Sequence, residues 1–375
     1  MACSAKSARR RSETMRIQFK TSYDHDIRLF PDRHSLLVYG ALVMLALALP
    51  LLINEFYIGE VTNVLIWAIA GLGLMLLTGQ TGQASLGHAA FLAIGCYANT
   101  ILIEQGLPFV VAFPLAGVIT GIVGGIIAIP ALRLHGIYLA IATIALSILA
   151  DDIIVFLEPW TGGVSGKFPD VIRLFGIEIE RWTMPVRFYY LVLGVTVICT
   201  LFYRNLLRSP LGRAFAAVRD SEVSATAMGV HIARTKATAF GLSCMITGWA
   251  GALMGYYAGA FNNETFSLVI SITLLMMIVI GGLGSIHGAF FGAVVVAFLP
   301  QGLSILKDSV LGSGVAIPGL ETGVFGMILI LFILFEPMGL YGRWLKIRIW
   351  FELFPFARKD MFRRQKSYLK TERLR

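Results

Sequence analysis

The sequence predicts an all-α polytopic membrane protein of about ten transmembrane helices, with glycine-broken spans and one long polar loop. Three observations predict it. Of 375 residues, 57% are hydrophobic and only 14% charged, and mean hydropathy is +0.77, far more apolar surface than a soluble chain of this length needs. Several apolar runs reach the ~20 residues a helix needs to cross ~30 Å of hydrocarbon. The basic residues are also distributed unevenly: eight Lys/Arg lie in residues 1–35, one in 131–136, six in 204–236 and eleven after Pro337. That places 26 of 31 on one side of the expected spans, the positive-inside bias. The net charge of +9 therefore sets topology and calls for no nucleic-acid partner.

In chain order, residues 1–35 form a basic tail suited to anionic lipid headgroups. Spans are expected at 36–53, 61–78, 84–103, 109–130, 137–157, 187–203, 237–259, 267–283, 288–306 and 315–335, so that 36–336 is the membrane domain. Ten crossings put both tails and the 204–236 loop in the cytoplasm, and leave 158–187 as the sizeable outside segment. The closing tail, 337–375, is basic with interspersed aromatics and has the character of an interfacial segment. The first apolar run begins behind a long polar lead, which predicts an uncleaved first span. Cys3 falls in the tail, and Cys96, Cys199 and Cys244 fall within apolar runs, so no disulfide framework is indicated.

The polar interruption, RNLLRSPLGRAFAAVRDSEVSATAMGVHIARTK, predicts two short helices. Ser209 followed by Pro210 is a helix start, since the hydroxyl caps free N–H groups and Pro needs no donor there. Leu211, Phe215 and Val218 fall at helical spacing, with Arg213 and Arg219 on other faces. Asp220 and Ser221 cap a second helix through Met228, which Gly229 ends. Two capped helices at a polar corner beside a membrane make a platform that another protein can grip; a solvated loop is the plainer alternative.

Glycine is abundant, at 39 residues. In GLGLMLLTGQTGQASLGHAAFLAIGCYA, Gly79, Gly82, Gly87 and Gly95 stand among Gln80, Thr81, Gln83, Ser85 and His88. Gly282, Ser285, Ala289 and Phe291 match Gly82, Ser85, Ala89 and Phe91 at a constant offset of 200. Glycines of this kind serve close helix packing or line an unwound translocation path, where polar groups face a cavity. His88 and His287 have no metal-ligand spacing around them and suit hydrogen-bonded packing. Tyr138 and Thr143 could line a polar stripe on the fifth span, although Thr in a membrane helix often bonds its own backbone.

No GxxxxGK[ST] loop is present: TGGVSGKF has Thr161 in the place of the first Gly and Phe168 after the Lys. ATP binding by this chain is therefore not expected. Neither a hydrolase triad order, HExxH nor CxxC occurs, so no catalytic residue, metal site or enzymatic activity is expected.

Several segments carry a family resemblance: GQASLGHAAFLAIGCY (82–97), LRLHGIYLAIATIAL (132–146), TGG with Gly166 (161–166), RSPLGRAFAAVRDSEVSATAMGVHIARTKATAF (208–240), ETF (264–266), IGGLGSIHGAFFGA (280–293) and EPMGLYG (336–342). Together they resemble the permease subunits of ABC importers for branched-chain amino acids, the LivM-type half of the hydrophobic amino-acid uptake family. Relatives often carry a Glu about one turn before Asp151, where this chain has Ile148. The resemblance implies a bacterial inner-membrane translocation subunit, with a homologous permease partner, two cytoplasmic ATPase subunits that hold ATP and Mg, and a periplasmic solute-binding protein. It implies ATPase docking through Arg213, Phe215, Arg219, Asp220 and Glu222. For the substrate path, the polar residues favoured are Gln83, Ser85, Tyr138 and Thr143. Related systems carry urea, short amides or small aromatic acids, and an ion-coupled secondary transporter is the alternative class.

Overall fold

In a computed structural model, the chain is described at residues 33–131, 134, 136–174, 176–311, 323, 324, 326, 327, 330, 331, 334 and 339–353. Residues 33–341 belong to one compact unit and 342–353 to another. The larger unit is a bundle of apolar helices. They are α1 (Arg33–Leu52), α2 (Glu55–Met75), α3 (His88–Glu104), α4 (Phe109–Ala131) and α5 (Ile137–Phe156), then a single turn α6 (Glu158–Thr161). After it come α7 (Pro185–Arg208), the short α8 (Pro210–Asp220) and α9 (Glu222–Ala227), α10 (Ile232–Ala258), α11 (Leu268–Gly281) and α12 (Ile286–Leu311). A last helix is α13 (Gly339–Leu353).

Six of these helices, α2 with its continuation to Gln80, α4, α5, α7, α10 and α11 with the turn before it, are long and apolar enough to cross a membrane, and α1, α3 and α12 contain shorter apolar stretches. This establishes a multi-pass helical protein. The expected tenth span, 315–335, and both basic tails lie largely outside the described residues.

Helix α10 sits at the centre, packed on α4, α3 and α2, while α2 also meets α12 and α7. Burial agrees with this order: 72% of the apolar window of α2 and 61% of that of α10 are buried, against 28% for α4 and 22% for α5. The outward faces of α4 and α5 are correspondingly exposed. Between helices in lipid the hydrophobic effect adds little, so small residues and close backbones must hold the bundle. Gly95 in α3 meets Gly248 in α10, and Gly251 meets the backbone of Leu92, so an added Cβ at any of these crossings collides with main chain or with Thr120.

Proline shows how backbone groups are satisfied. Pro50 in α1 has no N–H to give the carbonyl of Ala46, four residues back. Tyr189 of α7 supplies that donor from its hydroxyl at 2.7 Å, and Tyr190 reaches the carbonyl of Leu47 at 3.0 Å.

The ends of the helices gather into two polar regions. At one, residues 158–184 pack with the turn after α10. Lys167 and Phe261 exchange backbone hydrogen bonds of 2.8 and 3.0 Å, Lys167 pairs with Glu104, and Arg181 bonds the carbonyl of Tyr257 while lying 3.5 Å over its ring. Here the wholly helical expectation needs correction. Ile172–Leu174 (β1) and Ile177–Ile179 (β2) form an antiparallel hairpin with Arg173 opposite Glu178, turning at Gly176 with φ +83°. The opposite polar region holds the functional candidates.

Candidate functional site: two backbone breaks beneath a polar loop

Helix α2 widens into a π turn over Leu76–Gln80 and then unwinds. The Thr81 hydroxyl donates to the carbonyl of Leu77 at 2.6 Å, and the amide of Gln83 turns back to the same oxygen at 3.2 Å. Gly82, with φ +71°, makes the reversal, because a left-handed residue with a Cβ would be strained. Unwound backbone in apolar surroundings needs partners for its amides, and side-chain hydroxyls from neighbouring helices provide them. The amide of Leu86 donates to Thr143 Oγ1 of α5 at 2.9 Å, and that of Ala89 to Ser271 Oγ of α11 at 2.8 Å.

His88, fully buried, completes the first break. Ser243 Oγ of α10 spends its proton on the carbonyl of Gly73, 2.6 Å away. It must therefore accept from His88 Nε2 at 2.9 Å. Nδ1 is left to accept from Ser85 Oγ at 2.9 Å. The imidazole is a structural bridge between α2, α3 and α10, in keeping with the packing role its isolation in the sequence predicts. His287 is engaged as well, by the Tyr39 hydroxyl at 2.9 Å and by stacking on Tyr341.

The second break lies between α11 and α12. Gly282 and Gly284 have φ of +116° and +82°, and Ser285 Oγ accepts from the amide of Gly288 at 3.0 Å to start α12. The offset of 200 thus reappears in three dimensions: Gly82 and Gly282 both reverse the chain, Ser85 and Ser285 both accept a backbone amide, and Ala89 and Ala289 are both fully buried. The two breaks also touch. Gln80 Nε2 donates to the carbonyl of Gly284 at 3.1 Å, and a Cβ on Gly79 would stand 2.7 Å from the Gly284 nitrogen.

Above them lies the loop, two short helices as its sequence predicts, except that Asp220 ends α8 and pairs with Arg219 instead of capping α9. Ser209 Oγ caps α8 by accepting from Gly212 at 3.3 Å, Ser221 Oγ caps α9 from Ser224 at 3.3 Å, and Gly229 follows with φ +82°. Phe215 and Val218 face inward; Phe215 has 0% exposure and thus no surface to offer a partner. Arg213 is exposed and bonds the carbonyl of Arg208 at 3.2 Å. Glu222 pairs with Lys236 at 2.7 Å, which ties α9 to α10. Arg219 joins Asp220 at 3.1 Å and Gly79 at 3.1 Å.

Of the residues favoured for a path, Gln83, Ser85 and Thr143 come together at the first break, all buried. The side-chain nitrogen of Gln83, Nε2, is buried without a hydrogen-bond partner. Tyr138 is 68% exposed, five residues before Thr143 and on another side of α5. Two residues were missed by sequence reasoning: Val223, 83% exposed, and Met228, 81% exposed. Their signal was present, since both are large apolar residues in an otherwise polar stretch.

A multi-pass helical bundle with a polar interior at two meeting backbone breaks has the architecture a membrane transport protein uses. Comparison with known proteins makes this specific. Residues 56–333 match the family described as "Branched-chain amino acid transport system / permease component", and the chain belongs to that family. It is 34% identical over 277 residues to the high-affinity branched-chain amino acid transport system permease protein LivM of Salmonella typhimurium, covering 68% of this chain and 65% of the relative. The corresponding LivM of Escherichia coli K12 is 33% identical over the same shares. A probable LivM of Methanocaldococcus jannaschii is 25% identical over 80% of this chain and 86% of its own. The chain thus spans about 65% of the length of the two bacterial relatives. No solved structure matches it.

Proposed function

We propose that this chain is the translocation subunit of an ATP-driven, binding-protein-dependent importer, and that it moves a branched-chain or other small amino acid. Membership of the permease family, together with relatives named for branched-chain amino-acid transport, carries this reading. In it, the chain catalyses no reaction. A homologous permease shares the path, two ATPase subunits hold ATP and Mg and dock on α8 and α9, and a solute-binding protein delivers cargo to the end formed by 158–187. Ten crossings place both termini and the loop on the cytoplasmic side of the inner membrane.

The loop suits docking. Its inner face is anchored by Phe215 and Val218, and its outer face combines Arg213, Asp220 and Glu222 with the protruding Val223 and Met228. Exposed apolar side chains rimmed by charge mark protein contacts. Gln83, Ser85 and Thr143 line the path in this reading, and Phe215 serves docking by holding α8 in place. An ion-coupled carrier would use ionisable groups buried in the membrane; among the described residues no Asp or Glu is buried, and the buried His88 and Lys236 are engaged by Ser85 and Ser243 and by Glu222.

Co-expression with the ATPases, partner permease and binding protein of the same source, followed by reconstitution, tests this. The wild type should co-purify with the ATPases and take up leucine when ATP and binding protein are supplied. Val223→Asp changes an exposed side chain, leaves the fold intact and should weaken ATPase retention by about tenfold or more, as for a lost apolar anchor. A chain that retains no ATPase and moves solute down an ion gradient would overturn the reading.

A further inference from the structure

The carbonyl of Gly79 is left open by the way α2 ends. Its helical partner would be the amide of Gln83, four residues on, but that amide donates to Leu77 instead. Arg219 of α8 supplies the missing donor: its Nη1 lies 3.1 Å from the Gly79 oxygen. The other edge of the guanidinium is fixed, with Nε and Nη2 each 3.1 Å from Asp220 Oδ1. The Arg219 stem passes the reversal of the first break, where a Cβ on Gly82 would stand 3.4 Å from Arg219 Cγ. Its head also overlies the second break, where a Cβ on Gly284 would stand 3.9 Å from Nη1. Gln80, next to Gly79, holds the carbonyl of Gly284. One side chain of the loop therefore sits on both breaks.

We propose that Arg219 is a positioning residue that couples the loop to the translocation path, tying α8 to the backbone breaks at Gly79–Gly82 and Gly282–Gly284 so that displacing α8 displaces both. Its Asp220 pair lies near the surface, with side-chain exposures of 41% and 70%. Such a pair adds little stability; its effect here is to aim the fork of the guanidinium at Gly79. The planar fork matters because a lysine ammonium is a point charge without that fixed geometry. Phe215 and Val218, buried on the inner face of α8, keep the helix seated so that movement imposed on the loop reaches Arg219 with little slack.

The proposal rests on the reading of the loop as the ATPase-facing element, and its test separates the two. Arg219→Gln and Arg219→Lys are compared with wild type. In the purified full chain in nanodiscs, amide hydrogen exchange is followed over 78–88 and 281–288, with 240–256 of α10 as the control. In the reconstituted complex, ATPase retention and leucine uptake per ATP are measured. Arg219→Gln should exchange faster in both break segments by about tenfold, the factor a lost charge-assisted hydrogen bond brings, with α10 unchanged. Uptake per ATP should fall while the ATPases stay bound. If the glutamine variant loosens α10 as well, the lysine variant is read in the same way. Wild-type exchange in both break segments overturns the proposal, and does so decisively if ATPase retention is lost, since Arg219 then acts by docking alone. Failure of the wild-type chain to bind any ATPase sinks the importer reading and leaves the exchange result to judge Arg219.

Discussion

Ser243 is one hydroxyl with three duties: it donates to Gly73 on α2, accepts from His88 on α3, and belongs to α10. Ser243→Ala would leave the buried imidazole N–H of His88 without a partner, a loss of about 1–3 kcal/mol, while the Gly73 carbonyl keeps the amide of Leu76. The expected result is a lower temperature at which the detergent-solubilised protein loses its monodisperse peak in size-exclusion chromatography. An unchanged temperature would show that the network contributes nothing. Only half of this site is legible in the sequence. The lack of neighbouring donors points to a packing role for His88, and its partner Ser85 is three residues away, but Ser243 lies 155 residues away, and no local pattern links it to His88. Phe215 shows the same limit. Its spacing from Leu211 and Val218 marks a helix face, yet whether that face meets a partner or the chain's own core depends on tertiary packing.

At the scale of the element, glycines divide by what surrounds them. Gly95 in α3 is pressed against the backbone of Gly248 in α10, whereas a Cβ added to Gly194 in α7 would meet nothing within 4 Å. Gly95→Ala should therefore prevent the α3–α10 approach and abolish a folded, monodisperse product, because backbone cannot yield as a side-chain tip does. Gly194→Ala should fold at least as well as wild type, since Ala is favoured over Gly in a helix by about 1 kcal/mol. Equal behaviour of the two variants would contradict the packing described. The sequence marks both as membrane glycines and cannot tell them apart, because the distinction lies in the neighbouring helix. Element ends were more legible: Ser209, Pro210, Ser221 and Gly229 carry their caps within four residues, and the helices stop where those residues direct. The β1–β2 hairpin was not legible, since strands of three residues are too short for a period of two to emerge. The π turn at Leu76–Gln80 has no composition signal either, and only the glycines around it announce that the helix fails.

At the scale of the whole molecule, the contacts sort the helix ends without reference to a membrane. Glu104, Lys167, Arg181, Tyr257 and Phe261 meet at one end, and Gly79, Arg219 and Gly284 at the other. Each apolar helix from α2 to α5, and then α7, α10 and α11, runs between these two groups, so consecutive crossings alternate in direction. The positive-inside bias adds the sign that contacts lack, because the loop end carries the basic excess and the hairpin end does not. Phe168, 74% exposed at the hairpin end, and Met228, 81% exposed in the loop, report on the two sides. Single cysteines at these positions, in a chain with Cys3 replaced and the buried Cys96, Cys199 and Cys244 left in place, should react differently with a membrane-impermeant maleimide. Phe168→Cys should label in spheroplasts, and Met228→Cys only in inverted vesicles. The reverse pattern would mean that charge does not orient this chain, and the loop would then be unable to meet an ATPase. Labelling of both from one side would break the alternation itself, and with it the assignment of α10 as a crossing helix between the loop and the turn at Phe261.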